Sequence, residues 1–188
     1  MNVVWKFGLG VVLAFGAACA PDEGPDAPAQ SETIPASTGA LALDYQTFDQ
    51  APGAGWRALA DRGAYLAAGE LIDAYLSTNE SLEPSQRVNL AFHAGQAYAF
   101  AGAIELAKAR FRSAFVENEP STSPIRWNAY VRATIAFLEG DRATLESMRG
   151  EIAAGPDFNG IAPNLDVVDR LLAGFGGPYS EAYRPGAE

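Results

Sequence analysis

Apolar residues recur with helical spacing from about residue 51 onward, whereas proline and acidic residues dominate the stretch that precedes it. Apolar runs alternate with glycine-containing phrases, and Gly63, Gly102 and Gly140 recur about every 38 to 39 residues (63 to 102 to 140). A glycine after a helical run lets the chain leave one helix with positive φ and begin the next. The pattern predicts an all-α domain over residues 51–188, built as a short stack of antiparallel helical hairpins with a C-terminal capping helix.

The unit around Gly102 carries the clearest spacing of small and large residues. Small residues allow two helices to approach closely, and large ones fill the grooves between hairpins. The small positions are Gly95 and Ala107, and the large ones are Tyr98 and Phe111. This spacing resembles that of tetratricopeptide repeats, over roughly residues 56–154. The resemblance implies a curved stack whose inner face contacts ligands, although such repeats serve many functions.

The same resemblance places a candidate binding surface on the first helix of each hairpin. Its residues are Asn89, Phe92 and Gln96 in the middle unit, followed by Trp127, Tyr130 and Thr134 in the next. Aromatic and amide side chains on one concave face suit an extended peptide or a partner helix. The alternative is that these aromatic residues form core and contact the leading segment near Trp56.

Local signals also predict where the later helices begin. Ser123 and Pro124 have the residue types of a helix N-cap and first position, and Asp141 is expected to cap the helix that follows. Asn164 is expected to cap a final helix over roughly residues 165–175. That helix and Tyr183 would cover the open end of the stack.

The first 18 residues predict a signal peptide, because Lys6 precedes an uncharged apolar stretch that is too short to span a bilayer. The phrase that ends at Cys19 resembles the lipobox of bacterial lipoproteins, with small residues at Ala17 and Ala18. The resemblance implies lipidation of Cys19 and, because Ala20 follows, attachment at the periplasmic face of the outer membrane. An ordinary secretory signal cleaved nearby is the alternative, and export is common to both.

Residues 19–50 are rich in proline and acidic residues, and this composition predicts an extended tether. A solvated tail without a further role is the alternative. The formal net charge of −10 argues against nucleic acid as a partner, because phosphate binding needs a basic surface.

The sequence contains few residues that could bind a metal or catalyse a reaction. One cysteine and one histidine, His93, exclude an internal disulfide and a multi-thiolate metal site. At helical spacing from His93 the sequence provides neither an acid nor a nucleophile, so we expect a partly buried helix residue there. We expect no cofactor and no metal.

The function expected from the sequence is that of a non-enzymatic module, an exported lipoprotein that binds a protein or peptide in the bacterial cell envelope. The alternative is a structural accessory subunit without a ligand groove of its own. An enzyme ranks last, because no constellation of catalytic residues can be assembled.

Overall fold

A computed structural model of the chain describes residues 38–123, 125–155, 157 and 160–184. The predicted signal peptide, Cys19 and the predicted tether up to residue 37 lie outside these ranges. Each regular element within them is a helix, which confirms the all-α prediction. In chain order the elements are α1 (Thr38–Leu41), a π-helix (Gln46–Gln50), α2 (Arg57–Ala60), α3 (Tyr65–Thr78), α4 (Pro84–Phe100), α5 (Ile104–Arg112), α6 (Trp127–Glu139), α7 (Arg142–Ala153), α8 (Leu165–Ala173) and α9 (Tyr179–Ala182).

Consecutive helices pack as pairs, with α3 against α4, α4 against α5 and α6 against α7. The turns at Gly63, Gly102 and Gly140 share one backbone geometry, since these glycines have φ values of 79°, 74° and 71°. The amide after each glycine donates to a carbonyl five residues earlier, a pattern that closes the end of a helix. These bonds are Ala64 N to Leu59 O at 3.0 Å, Ala103 N to Tyr98 O at 2.9 Å and Asp141 N to Ala136 O at 2.9 Å. The predicted reversals at Gly102 and Gly140 are therefore confirmed.

Glycines also let neighbouring helices approach closely. A Cβ atom on Gly95 would lie 2.7 Å from the ring of Phe111, and one on Gly69 would lie 2.8 Å from the ring of Tyr98. Phe111 therefore packs within its own hairpin, and Tyr98 packs against the preceding helix α3. The sequence predicted small residues at this contact correctly, but it assigned both rings to the groove toward the next hairpin.

The packed part of the chain begins earlier than the predicted boundary at residue 51. Phe48 and Asp49, which fall within the predicted tether, are fully buried. The ring of Phe48 stacks on Tyr75 of α3 with centroids 3.7 Å apart. This contact joins residues distant in sequence, so local composition gave no sign of it.

The start of α6 differs from prediction, whereas α7 and α8 begin where the sequence predicted. Helix α6 begins at Trp127, where the Glu119 carboxylate accepts the amides of Trp127 (2.5 Å) and Asn128 (3.0 Å), so the cap is not Ser123. Asn164 precedes α8 with φ 67° and makes no side-chain cap. Asp141 does cap α7, accepting the amide of Thr144 at 3.0 Å.

The C-terminal part closes the stack. Helix α8 packs on α6 and α7, and α9 returns to contact α4. The C-terminal helices therefore pack on the body, and α9 reaches the middle of the described chain. Within the described ranges, no helix has the length and apolar character needed to cross a membrane.

Candidate functional site

The aromatic residues of the predicted binding surface lie in the core. Phe92, Trp127, Tyr130 and Thr134 are all buried. The ring of Phe92 lies 4.8 Å from that of Trp127 and 5.1 Å from that of Tyr130, between centroids. The indole nitrogen of Trp127 donates to the carbonyl oxygen of Ala114 at 2.7 Å. The structure thus places these four residues inside the molecule, which agrees with the core part of the alternative stated from the sequence. Trp56 contacts the ring of His93, with centroids 5.3 Å apart.

The polar members of the predicted surface, Asn89 and Gln96, are half-buried on one face of α4. Both amide side chains are engaged by the two ends of the described chain. Asn89 Nδ2 donates to the Tyr45 hydroxyl at 3.3 Å, and Gln96 Nε2 donates to the Tyr183 hydroxyl at 2.8 Å. We call this face of α4, with Asn89, His93 and Gln96, the inner stripe. It is covered by N-terminal and C-terminal segments of the same chain.

The centre of the inner stripe is a pair that sequence reasoning missed. His93 Nδ1 lies 2.7 Å from Asp49 Oδ1. The carboxylate is fully buried, whereas the His93 side chain is 22% exposed. Trp56 Nε1 donates to the same oxygen at 2.9 Å, and Gln50 Nε2 donates to Asp49 Oδ2 at 2.5 Å. The Asp49 carboxylate therefore has several hydrogen-bond donors that replace the water it loses on burial.

Burial of Asp49 by itself would raise the pKa of this carboxyl. The charge of His93, hydrogen bonds from His93 and Trp56, and the charge of Arg57 outweigh that effect, so the pKa is held well below its ordinary value of 3.8. Asp49 is consequently ionised at physiological pH. The Arg57 side chain also donates from Nε to the Asp49 backbone oxygen at 2.5 Å.

Tyr45 lies beside this carboxylate and has an altered pKa as well. Burial and the negative charge of Asp49 raise the pKa of the Tyr45 phenol to about 12. The phenol stays neutral at physiological pH, where its hydroxyl accepts the Asn89 amide. Its role in this arrangement is a structural hydrogen bond.

The pair orients the imidazole of His93 through its Nδ1 atom. Asp49 holds Nδ1 of His93, and among the described residues no hydroxyl or thiol forms a hydrogen bond with Nε2. A nucleophile with a base requires that second contact. The contact between Asp49 and His93 fixes the position of the N-terminal segment along α4. The sequence signal was weak, because Asp49 lies 44 residues before His93 in an acidic stretch.

At the other end of the inner stripe, α9 adds a cluster of tyrosines. Tyr179 is buried, and its ring centroid lies 5.4 Å from that of Phe100. Tyr183 contacts the same ring with centroids 5.6 Å apart. Edge-to-face pairs of this kind add to the apolar burial. The C-terminal segment is thereby held over α4.

Comparisons of the chain with models of protein families, with curated proteins and with solved structures each gave no match.

Proposed function

We propose that this protein is an exported, lipid-anchored accessory subunit of the bacterial cell envelope, with a tetratricopeptide-like helical body that binds a protein partner and catalyses no reaction. The observation that carries the proposal is that the inner face is filled by the chain's own aromatic residues and terminal segments. A filled inner face favours the accessory subunit over a module with an open peptide groove. The three matching glycine turns support the tetratricopeptide-like body.

In this proposal the body contacts its partner through its outer helices. Leu66 on α3 is 47% exposed, and Leu106 on α5 is 50% exposed. Leu66 lies three residues after Gly63 and Leu106 lies four residues after Gly102, so each is in the first turn of the second helix of a hairpin. We assign the partner contact to the surface that carries these two exposed leucines.

Co-purification from envelopes tests the partner. The wild-type protein should retain a defined protein partner in mild detergent, and the double variant Leu66→Ser, Leu106→Ser should lose it. The matched control is Glu70→Ser, an exposed position on α3, which should leave the partner bound. A wild-type protein that purifies alone under cross-linking conditions would refute the accessory role.

The anchor is tested separately. In this proposal Cys19 carries the lipid, and Cys19→Ser should move the protein from the membrane fraction to the soluble fraction of the periplasm. Durable attachment needs more than one acyl chain, and in this proposal Cys19 carries all of them. Replacing Cys19 therefore removes the whole anchor. Membrane attachment that persists in Cys19→Ser would contradict lipidation at this residue.

A further inference from the structure

The N-terminal segment over residues 38–50, which we call the strap, lies on the body much as a bound peptide lies in its receptor. The strap contains α1 and the π-helix, and the body begins at Trp56. Residues 51–55 join the two with the sequence Ala-Pro-Gly-Ala-Gly. Gly53 and Gly55 adopt positive φ values of 66° and 50°. The strap is therefore connected to the body by a short linker rich in glycine.

The body contacts the strap backbone at several places. Tyr75 donates from its hydroxyl to the carbonyl oxygen of Leu43 at 2.8 Å, and Asn79 Nδ2 donates to that of Leu41 at 3.3 Å. Arg57 adds the bond to the backbone oxygen of Asp49 described above. Contacts of this kind reach the strap through its carbonyl groups and so do not depend on its side chains.

Specificity comes from two neighbouring side chains of the strap. Phe48 is fully buried and stacks on Tyr75 with an interplanar angle of 8°. Asp49 places its carboxylate against His93 and the indole nitrogen of Trp56, both of which belong to the body. The fully buried carboxylate has its hydrogen-bond partners only where the strap lies in this one position on the body. The body thus recognises an aromatic residue followed by an acid.

The form of the strap also fits recognition. Residues Gln46–Gln50 form a π-helix, an element found mostly as single turns and often at functional sites. The strap is also the part of the chain that follows the proposed anchor. Anything that displaces it would lengthen the connection between membrane and body.

We propose that the surface formed by Trp56, Tyr75, Asn79, Asn89 and His93 is a binding site for a partner segment with an aromatic residue followed by a carboxylate, and that the strap occupies this site as an internal competitor. The inference rests on the proposed function and deepens it, because it names the chemistry of the partner and a means of regulation. A tethered segment has an effective concentration on the order of millimolar, so the strap excludes weak competitors.

Fluorescence anisotropy with a labelled peptide tests the site. The probe is a synthetic peptide with the sequence of residues 40–50. The protein is the full chain carrying Phe48→Ala and Asp49→Ala, which removes both recognition side chains of the strap and alters no residue of the body. We expect the probe to bind this variant at least about tenfold more tightly than it binds the wild-type chain, where the strap competes. A scrambled peptide that separates the phenylalanine from the aspartate should not bind.

A second arm covers the case in which the double variant does not fold. A protease site inserted between Ala51 and Ala54 of the otherwise wild-type chain allows the linker to be cut after folding. The insertion keeps Gly55, where any side chain would overlap the backbone of Phe48. The cut strap should then exchange with the labelled peptide while the circular dichroism of the body stays helical. A body that unfolds on cutting, or a folded body that never accepts the probe in either arm, overturns the proposal and makes the strap ordinary core.

The same experiment distinguishes a partner segment from a second copy of the chain, and it distinguishes failure of this inference from failure of the proposed accessory role. If the wild-type chain exchanges straps into dimers, seen by light scattering, and the probe peptide does not compete, then the occupant is a second copy and the proposed partner is wrong. Failure of the accessory role would appear differently, as a wild-type protein that purifies from envelopes without a partner, whatever the peptide experiment shows.

Discussion

Asp49 is a buried carboxylate whose stability contribution depends on pH. Its pKa is lower in the folded chain than the ordinary value of 3.8, because the partners around it favour the charged form. A group with a lowered folded pKa contributes stability that is fully present above its unfolded pKa and is lost as the pH falls through the folded value. Acid should therefore destabilise the attachment of the strap.

We predict that the free energy of unfolding of the wild-type protein falls as the pH drops below 3.8, and that Asp49→Asn removes much of this dependence. At pH 7 the substitution should cost about 2 kcal/mol, because a hydrogen-bonded charge is lost from a buried site. Urea unfolding at a series of pH values measures both effects. The control Asp61→Asn changes an exposed carboxylate, and it should leave the free energy of unfolding at pH 7 unchanged.

Gly95 provides a second residue-scale prediction. Alanine is favoured over glycine within a helix by about 1 kcal/mol, but overpacking a tight core costs about 1–3 kcal/mol. Because the new Cβ would meet the ring of the fully buried Phe111, we expect Gly95→Ala to destabilise the fold by about 1 kcal/mol net. Thermal unfolding of the variant and the wild type measures this change in stability.

The matched control for Gly95 is Gly150, which lies within α7 and has no neighbouring atom within 4 Å of the place that a Cβ would occupy. Gly150→Ala should stabilise by about 0.5–1 kcal/mol, since only the helical preference changes. Equal effects at the two glycines would show that the contact between Gly95 and Phe111 is not tight.

At the scale of elements, local signals predicted the glycine turns, but they did not predict the start of α6. The turns at Gly102 and Gly140 were predictable because a glycine with positive φ closes a helix through neighbouring amides. The start of α6 was not predictable, because its cap is Glu119, eight residues before Trp127. Sequence rules look for the cap at the adjacent position, where Arg126 makes no such bond.

We predict that Glu119→Ala destabilises the protein by about 1 kcal/mol, the usual effect of losing an N-cap acceptor. Guanidinium unfolding compares it with Glu117→Ala, a nearby exposed position that should change stability by less than about 0.5 kcal/mol. If Ser123→Ala destabilises the protein more than Glu119→Ala and Glu117→Ala do, then Ser123 and not Glu119 caps α6.

At the scale of the whole molecule, the hairpin array is closed by its own ends. The strap and α9 reach α4 from opposite ends of the described chain, through Tyr45 and Tyr183. A tetratricopeptide-like pattern predicts an inner face, but it does not show what covers that face. In this chain the cover includes residues that composition assigned to a tether.

This closure changes the expected effect of inner-face substitutions. Phe92→Ala and Trp127→Ala each remove a large buried ring, so we expect losses of about 3–5 kcal/mol in the free energy of unfolding. Urea unfolding should show this loss, while Leu106→Ala on the outer surface should remain close to wild type. A Trp127→Ala variant with wild-type stability would mean that this face is not part of the core.

The sequence by itself determined the helical architecture and the places where the chain reverses, because apolar periodicity and glycine turns act over a few residues. It also determined that His93 would lie partly buried on a helix. The pairing of Asp49 with His93 and the burial of the predicted binding aromatics depend on how distant segments pack, and apolar packing of this kind leaves no trace in the local pattern. The Glu119 cap of α6 spans eight residues, and it depends on the path of the loop that precedes the helix.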